Sequence, residues 1–253
     1  MNTIHTFISF GVILLLSLSS LSCNGSNEAS PNEWKSLFNG ENLDGWDIKI
    51  QGYELNENVG ETFRVENGIM KVRYDQYDTF DGRFGHIFYE KPFSDYHLVV
   101  EYRFVGDQIE GGADWAYRNN GIMFHSQSAA SMALEQDFPV SIEYQLLGAD
   151  EGMERPNGNV CTPGTQVVVG GELRTEHCID AGGPTHEGEQ WVTAELIVYG
   201  DSLAQHILNG ELVVEYTGLQ LEDGTPLRKG YIALQSESHP TDFRSVKIRR
   251  LER

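Results

Sequence analysis

Apolar and polar residues alternate with a period of two along nearly the whole chain, and no long segment repeats apolar residues at i, i+3, i+4 and i+7. The pattern predicts an all-β protein. Strands are expected at His97 to Phe104, Gly121 to Ser126, Ser141 to Leu147, Gln190 to Tyr199, Gly230 to Glu237 and Phe243 to Leu251. Asn67-Gly68 and Asn209-Gly210 each separate two strand-like runs, and Asn-Gly supplies the positive φ angles of a two-residue hairpin turn. About a dozen strands in one domain imply two packed antiparallel sheets, because a single open sheet of that size curls or splits. Two stretches depart from the alternation. Ser128 to Glu135 predicts a short surface helix, and Gly148 to Gly188, rich in Gly, Pro and Thr, predicts a long ordered loop folded over a site.

Several predicted strands have one greasy face and one face bearing acid, amide or base. Glu143 and Gln145 alternate with Ile142, Tyr144 and Leu146, while Gln235 and Glu237 alternate with Ile232 and Leu234. By the same rule His125 shares a face with Gly121 and Met123, and Glu101 and Arg103 share one with Val99. His239 and Arg244 follow just beyond the strand that carries Gln235. Solvated sheet faces commonly hold Lys, Thr and Ser, so these residue types point to a wet, concave site shared by several strands. The aromatic residues Tyr53, Tyr74, Tyr77 and Trp115 suit a strand core and, less specifically, sugar stacking.

The first 23 residues are set apart from the folding unit. Phe7 to Leu18 is an apolar run too short to span a bilayer but long enough for an export signal. Ser20-Leu21-Ser22-Cys23 after it reads as a lipoprotein cleavage site, with Cys23 acylated. Residues 24–33 read as a flexible tether and 34–253 as one domain. The expected location is therefore a bacterial cell envelope, with membrane contact only through the lipid anchor. A formal charge of −20 argues against nucleic acid as a partner, since phosphate backbones attract basic patches. Of the three cysteines, Cys161 and Cys178 are expected to pair in an oxidising compartment. A metal site from Cys161, His177 and Cys178 is the alternative, although adjacent ligands lack the usual zinc spacing. Gly-x-Ser-x-Gly, His-Glu-x-x-His and phosphate-cradling glycine motifs are absent, which excludes the commonest hydrolase and nucleotide-binding designs.

Four motifs in order, Ser36-Leu-Phe-Asn-Gly-Glu-Asn-Leu-Asp-Gly-Trp46, Asn120-Gly-Ile-Met-Phe-His125, Ile142-Glu-Tyr-Gln-Leu146 and Gly230-Tyr-Ile-Ala-Leu-Gln-Ser-Glu237 with Phe243-Arg-Ser-Val246, resemble the 3-keto-disaccharide hydrolase family. The resemblance implies a concanavalin A-like jelly-roll sandwich and cleavage of glycosides whose C3 hydroxyl has become a ketone. Such a ketone acidifies the C2 hydrogen, so the reaction needs a base, a stabiliser for the enolate oxygen and an acid for the leaving group. On this reading Glu143 and His125 are the catalytic candidates. Gln145, Asn120, Gln235, Arg244, Glu101 and Arg103 are candidate substrate contacts. A divalent cation on Glu143, Glu237 and His239 is a further possibility, and no organic cofactor is expected. The rival readings are a lectin-like carbohydrate-binding module and a conventional endo-glucanase, which would need a second carboxylate beside Glu143.

Overall fold

The computed structural model describes residue 1 and residues 32–252. The export signal, Cys23 and nearly all of the tether lie outside the described residues. In chain order the strands are β1 (Lys35–Ser36), β2 (Trp46–Ile50), β3 (Phe63–Glu66), β4 (Ile69–Val72), β5 (Gly85–Tyr89), β6 (Asp95–Phe104), β7 (Asn119–Ser126), β8 (Ile142–Leu147) and β9 (Val160–Cys161). They continue with β10 (Thr165–Val169), β11 (Glu172–Arg174), β12 (Cys178–Ile179), β13 (Val192–Tyr199), β14 (Leu203–Leu208), β15 (Glu211–Leu221), β16 (Tyr231–Ser236) and β17 (Thr241–Arg250).

These strands form two antiparallel sheets. One is ten-stranded, in the order β11-β10-β15-β14-β13-β6-β17-β4-β3 with β1 added on β17. The other is seven-stranded, in the order β12-β9-β8-β7-β16-β5-β2. Both Asn-Gly turns form as expected, with φ of 54° and 76° at Asn67 and Gly68 and 48° and 85° at Asn209 and Gly210.

The alternation explains the sandwich. Tyr96, Leu98, Val100 and Tyr102 of β6 and Val192, Ala194, Leu196 and Val198 of β13 turn inward from the larger sheet. Ile122 and Phe124 of β7, Ile142, Tyr144 and Leu146 of β8, and Ile232 and Leu234 of β16 meet them from the smaller one. Burying each such side chain contributes about 1.5–3 kcal/mol.

The smaller sheet is also covered on its outer face, so β5 and β7 are buried along their whole length. The cover is the 127–140 segment. The helix predicted at Ser128 to Glu135 is reduced to one 3-10 turn, Ala129–Ser131. Ala129 and Met132 instead pack on Phe88, Met123 and Ala233, an apolar patch that draws the chain flat over the sheet. Leu134 supports the same path, because its carbonyl accepts bonds from Gly52 N (2.8 Å) and Lys49 Nζ (3.3 Å).

The 148–188 stretch is likewise not a plain loop. It carries β9 and β12, which extend the seven-stranded sheet beyond β8, and β10 and β11, which extend the other sheet beyond β15. Cys161 and Cys178 lie directly opposite each other in the β9–β12 pair and form a disulfide. That bond uses the sulfurs the Cys161–His177–Cys178 metal alternative would need.

Closing a loop across a sequence separation of 17 residues stabilises the chain by about 3 kcal/mol in the loop-entropy account. Replacing both cysteines by serine is expected to lower the unfolding free energy by about that amount, read as a fall in the urea midpoint. An unchanged midpoint would show that the excursion is held by its strand pairing alone.

Candidate active site

Cross-strand register assembles a polar row on the outer face of the seven-stranded sheet. Lys49 of β2 faces His86 of β5, His86 faces Gln235 of β16, and Gly121 of β7 faces Gln145 of β8. Glu143 starts two residues away along β8, opposite Met123 and Cys161. Its side chain leans over Gly121. A Cβ at residue 121 would lie 2.5 Å from Glu143 Oε1 and 2.8 Å from its Cδ, so only glycine leaves room for the carboxyl group.

A cavity of about 330 Å³ opens above this row, lined by Trp115, Asn119, Phe138, Glu143, Gln145, Glu237, His177 and the Cys161–Cys178 bridge. The aromatic wall is built in layers: Phe84 stacks on Trp115 (5.9 Å, 10° between planes) and packs against Phe138 (5.1 Å). Trp115 keeps 54% of its surface exposed, which leaves a ring available for stacking on a ligand. Gln145 Oε1 accepts from Asn159 Nδ2 (3.0 Å), so its own NH₂ is free to donate toward the cavity. Arg155 holds the rim, donating to the carbonyls of Trp115 (2.9 Å), Gly148 (3.1 Å) and Tyr117.

Glu143 and Glu237 are both buried and share this cavity. Burial raises the pKa of each. For Glu237 the charge of Glu143 adds to the rise, and Arg155 opposes it. Two carboxylates in one low-dielectric pocket cannot both ionise cheaply, so the pair retains a proton at neutral pH. Glu237 Oε1 accepts from Gln235 Nε2 (2.9 Å). Glu237 Oε2, Gln235 Oε1 and Asn119 Oδ1 are buried and meet no protein partner.

Four sequence expectations need correction. His125 is not in the site. A bulge places three residue steps of β7, Met123 to Ser126, against two of β16, and His125 takes φ 46°. This turns its imidazole to the core side, near Tyr96, where Nε2 donates to Gly200 O (2.9 Å) and burial lowers its pKa. The bulge requires Gly230, since a Cβ there would sit 2.2 Å from the His125 carbonyl carbon.

Arg244, Glu101 and Arg103 lie on the outer face of the other sheet. Arg244 pairs with Glu101 (2.9 Å), Arg103 pairs with Asp242 (2.8 Å), and both guanidinium groups stack on Trp191. Asn120 is a structural bridge. Its Nδ2 donates to Gln235 O (2.8 Å) and its Oδ1 accepts from Gly121 N (2.9 Å). Finally, among the described residues no three His, Cys, Asp or Glu side chains converge as ligands for a metal ion, so Glu143, Glu237 and His239 do not fit a divalent cation. The His239 ring instead packs edge-on against Tyr117 (5.0 Å) and Phe104 (5.6 Å).

Glu143, Gln145, Gln235 and Glu237 are thus brought together as alternation predicts. Asn119, Phe138, Arg155 and His86 were not anticipated. His86 alone had a readable signal, an imidazole at the head of the apolar run Ile87 to Tyr89.

The sequence pattern of the 3-keto-alpha-glucoside-1,2-lyase-like domain matches residues 33–249. No curated protein matches the chain. Among solved structures, two candidate glycosyl hydrolases from Parabacteroides distasonis are similar. One has 20% identity and a TM-score of 0.54 over 87% of this chain and 94% of that one. The other has 20% identity and a TM-score of 0.51 over 87% and 100%. The exoplasmic/lumenal domain of VIP36, in a form bound to Ca²⁺ and Man3GlcNAc, is also similar, with 12% identity and a TM-score of 0.52 over 87% and 91%. At these identities the likeness is one of fold, the concanavalin A-like jelly roll.

Two measurements test the site's construction. Gly121→Ala is expected to cost about 1–3 kcal/mol of stability through overpacking against Glu143. Full tolerance would mean that the carboxyl group is seated elsewhere. The second concerns pH. A carboxyl group whose folded pKa is raised keeps a proton that the unfolded chain releases, so its contribution is fully present below the ordinary value of 4.5 and fades as pH climbs toward the raised one. Relative to the parent, the Glu143→Gln/Glu237→Gln double variant should therefore gain stability from about pH 5 to about pH 8. The buried histidines act equally in both proteins and cancel. A constant difference across that range would refute the raised pKa values.

Proposed function

We propose that this chain, which belongs to the 3-keto-alpha-glucoside-1,2-lyase-like family, is an exported enzyme that cleaves 3-keto-glycosides by elimination and hydration. The observation that carries the reading is that Glu143 and Glu237 are buried and line one cavity, where burial raises the pKa of each. An effective general base has a pKa near the working pH, and burial moves Glu143 in that direction.

The ionised Glu143 takes the hydrogen from C2 of the 3-keto sugar, leaving an enolate. The enolate collapses to a C1=C2 double bond conjugated with the C3 ketone as the C1–O bond breaks, and Glu237 gives its proton to the departing oxygen. The pair still carries one proton, now on Glu143 and drawn from C2, while the one from Glu237 has left on the aglycone. Addition of water reverses the exchange: hydroxide bonds to C1, Glu143 returns its proton to C2, and Glu237 recovers one from the water. Trp115 supplies the stacking surface and Gln145 a donor for sugar hydroxyls. Export and lipid anchoring at Cys23 belong to the same proposal, supported by the apolar run from Phe7 to Leu18 ahead of Ser20-Leu21-Ser22-Cys23.

A second reading has one observation in its favour. Two carboxyl groups in one pocket are also the complement of a conventional glycosidase. A lectin site, in contrast, gains nothing from a carboxyl pair that traps a proton.

Purified protein should release aglycone from 3-keto-glucosides and leave the matching unoxidised glucosides intact. Glu143→Gln should lower kcat at least about 100-fold while calorimetric binding of the 3-keto substrate persists. Cleavage confined to unoxidised glucosides would sink the proposal in favour of the conventional glycosidase. Binding without turnover in the parent would leave a lectin.

A further inference from the structure

Glu143 and Gln145 stand two residues apart on one face of β8 and line the same cavity. Gln145 is opposite Gly121, and the Glu143 carboxyl group fills the space a side chain at 121 would take, so the acid and the amide are side by side. A relay of hydrogen bonds that begins at the main chain decides what the amide offers the cavity. Ala181 N donates to Asn159 Oδ1 (3.0 Å), and a backbone N–H can only donate, so the Asn159 oxygen is held there. Its Nδ2 is left to donate to Gln145 Oε1 (3.0 Å), which turns the Gln145 oxygen to Asn159 and the NH₂ to the cavity. The relay is clamped at both ends. Gln145 N donates to Asn159 O (3.0 Å) and Gly158 N to Gln145 O (3.2 Å), while the Cys161–Cys178 bridge ties the strand after Asn159 to the strand before Ala181.

The elimination creates a charge on the sugar that Glu143 and Glu237, engaged at C2 and at the leaving oxygen, do not meet. As the proton passes from C2 to Glu143, the C2–H electron pair becomes the C2=C3 bond and the C3 ketone oxygen takes the negative charge. A donor aimed at that oxygen gains strength as the charge develops, whereas a donor to a sugar hydroxyl gains nothing. Among the described residues no lysine or arginine lines the cavity, and Arg155 at the rim is committed to carbonyl oxygens. Asn119 Nδ2 is turned to Trp115 O (3.5 Å), and His177 is exposed to water, which weakens its attraction for charge. C3 is bonded to C2, so the donor for its oxygen has to stand beside the base, where Gln145 is.

We propose that Gln145 donates from Nε2 to the C3 oxygen of the 3-keto sugar as it becomes an enolate, and that Asn159 is a positioning residue that keeps the Gln145 NH₂, not its oxygen, on the cavity side. The proposal rests on the elimination reading of the site. An amide oxygen turned toward the enolate would repel it, so the relay sets the sign of the interaction. The excursion that carries Asn159 and Ala181 thereby has a part in the chemistry besides walling the cavity.

The test follows 4-nitrophenyl 3-keto-glucoside with hydrogen or deuterium at C2, a substrate whose leaving group departs without an acid. Gln145→Met is expected to lower kcat about 100-fold, with KM little changed and a deuterium effect at least as large as the parent's. Asn159→Asp keeps its shape and its bond from Ala181 N but offers Gln145 only acceptors, which turns the amide over. It should lose as much as Gln145→Met alone and nothing further when the two are combined. A raised KM with kcat retained in Gln145→Met, or a slow Gln145→Met with no deuterium effect, overturns the role at C3. If Glu143→Gln is as slow and also shows no deuterium effect, the elimination reading falls with it; a deuterium effect in Glu143→Gln leaves that reading standing. Equal losses from Asn159→Asp with and without Gln145→Met overturn the positioning role. Should Asn159→Asp not fold, Asn159→Ala, which frees the amide to turn, gives the decision in the same pair of backgrounds.

Discussion

The site depends on a polar sheet face that is closed off from water. In most antiparallel sandwiches the face turned from the core is solvated, and its charged side chains titrate normally. Here the 127–140 segment, the aromatic wall of Phe84, Trp115 and Phe138, and the disulfide-bonded excursion enclose that face. Glu143 and Glu237 therefore experience each other and the low dielectric together. The shifted pKa values and the trapped proton follow from that enclosure, as does the cost of every unpaired atom around them.

Enclosure also explains how the cover and the catalyst are linked. The apolar patch of Phe88, Met123 and Ala233 occupies one stretch of the outer face, and the polar row occupies the next. Ala129 and Met132 are drawn to the first, which places Phe138 over the second. A hydrophobic contact thus positions the roof of a polar cavity. Glycine does the complementary work underneath: Gly121 leaves the volume into which Glu143 leans, and Gly230 admits the bulge that turns His125 away.

The polar outer faces of the two sheets show why residue type is a weaker guide than place. Arg244, Glu101 and Arg103 have the chemistry of substrate contacts, yet Arg244 pairs with Glu101 and Arg103 with Asp242, and both guanidinium groups stack on Trp191, on the sheet opposite the site. The exposed Arg244–Glu101 pair contributes little, about 0–1 kcal/mol. Glu143 and Glu237, less conspicuous in the sequence, gain their chemistry entirely from burial.

Strand periodicity, the two Asn-Gly hairpins and the shared face of Glu143 with Gln145 and of Gln235 with Glu237 were legible in the sequence, because they are local consequences of side-chain alternation and turn sterics. The pairing of Cys161 with Cys178 was legible from their number and setting. His125 was misplaced because one extra residue in β7 reverses the alternation, and nothing local announces a bulge that depends on Gly230 some hundred residues later. The 128–135 segment was misread as a helix because the patch it covers is assembled from three separate strands. Arg155, Phe138 and Asn119 reach the cavity from loops or strand ends with no periodic signal. Sequence by itself therefore determined which residues share a strand face. Only the tertiary structure decided which face is shut away from water, because that depends on contacts between segments distant in the chain, and water exclusion is what turns two ordinary carboxyl groups into a pair holding a proton.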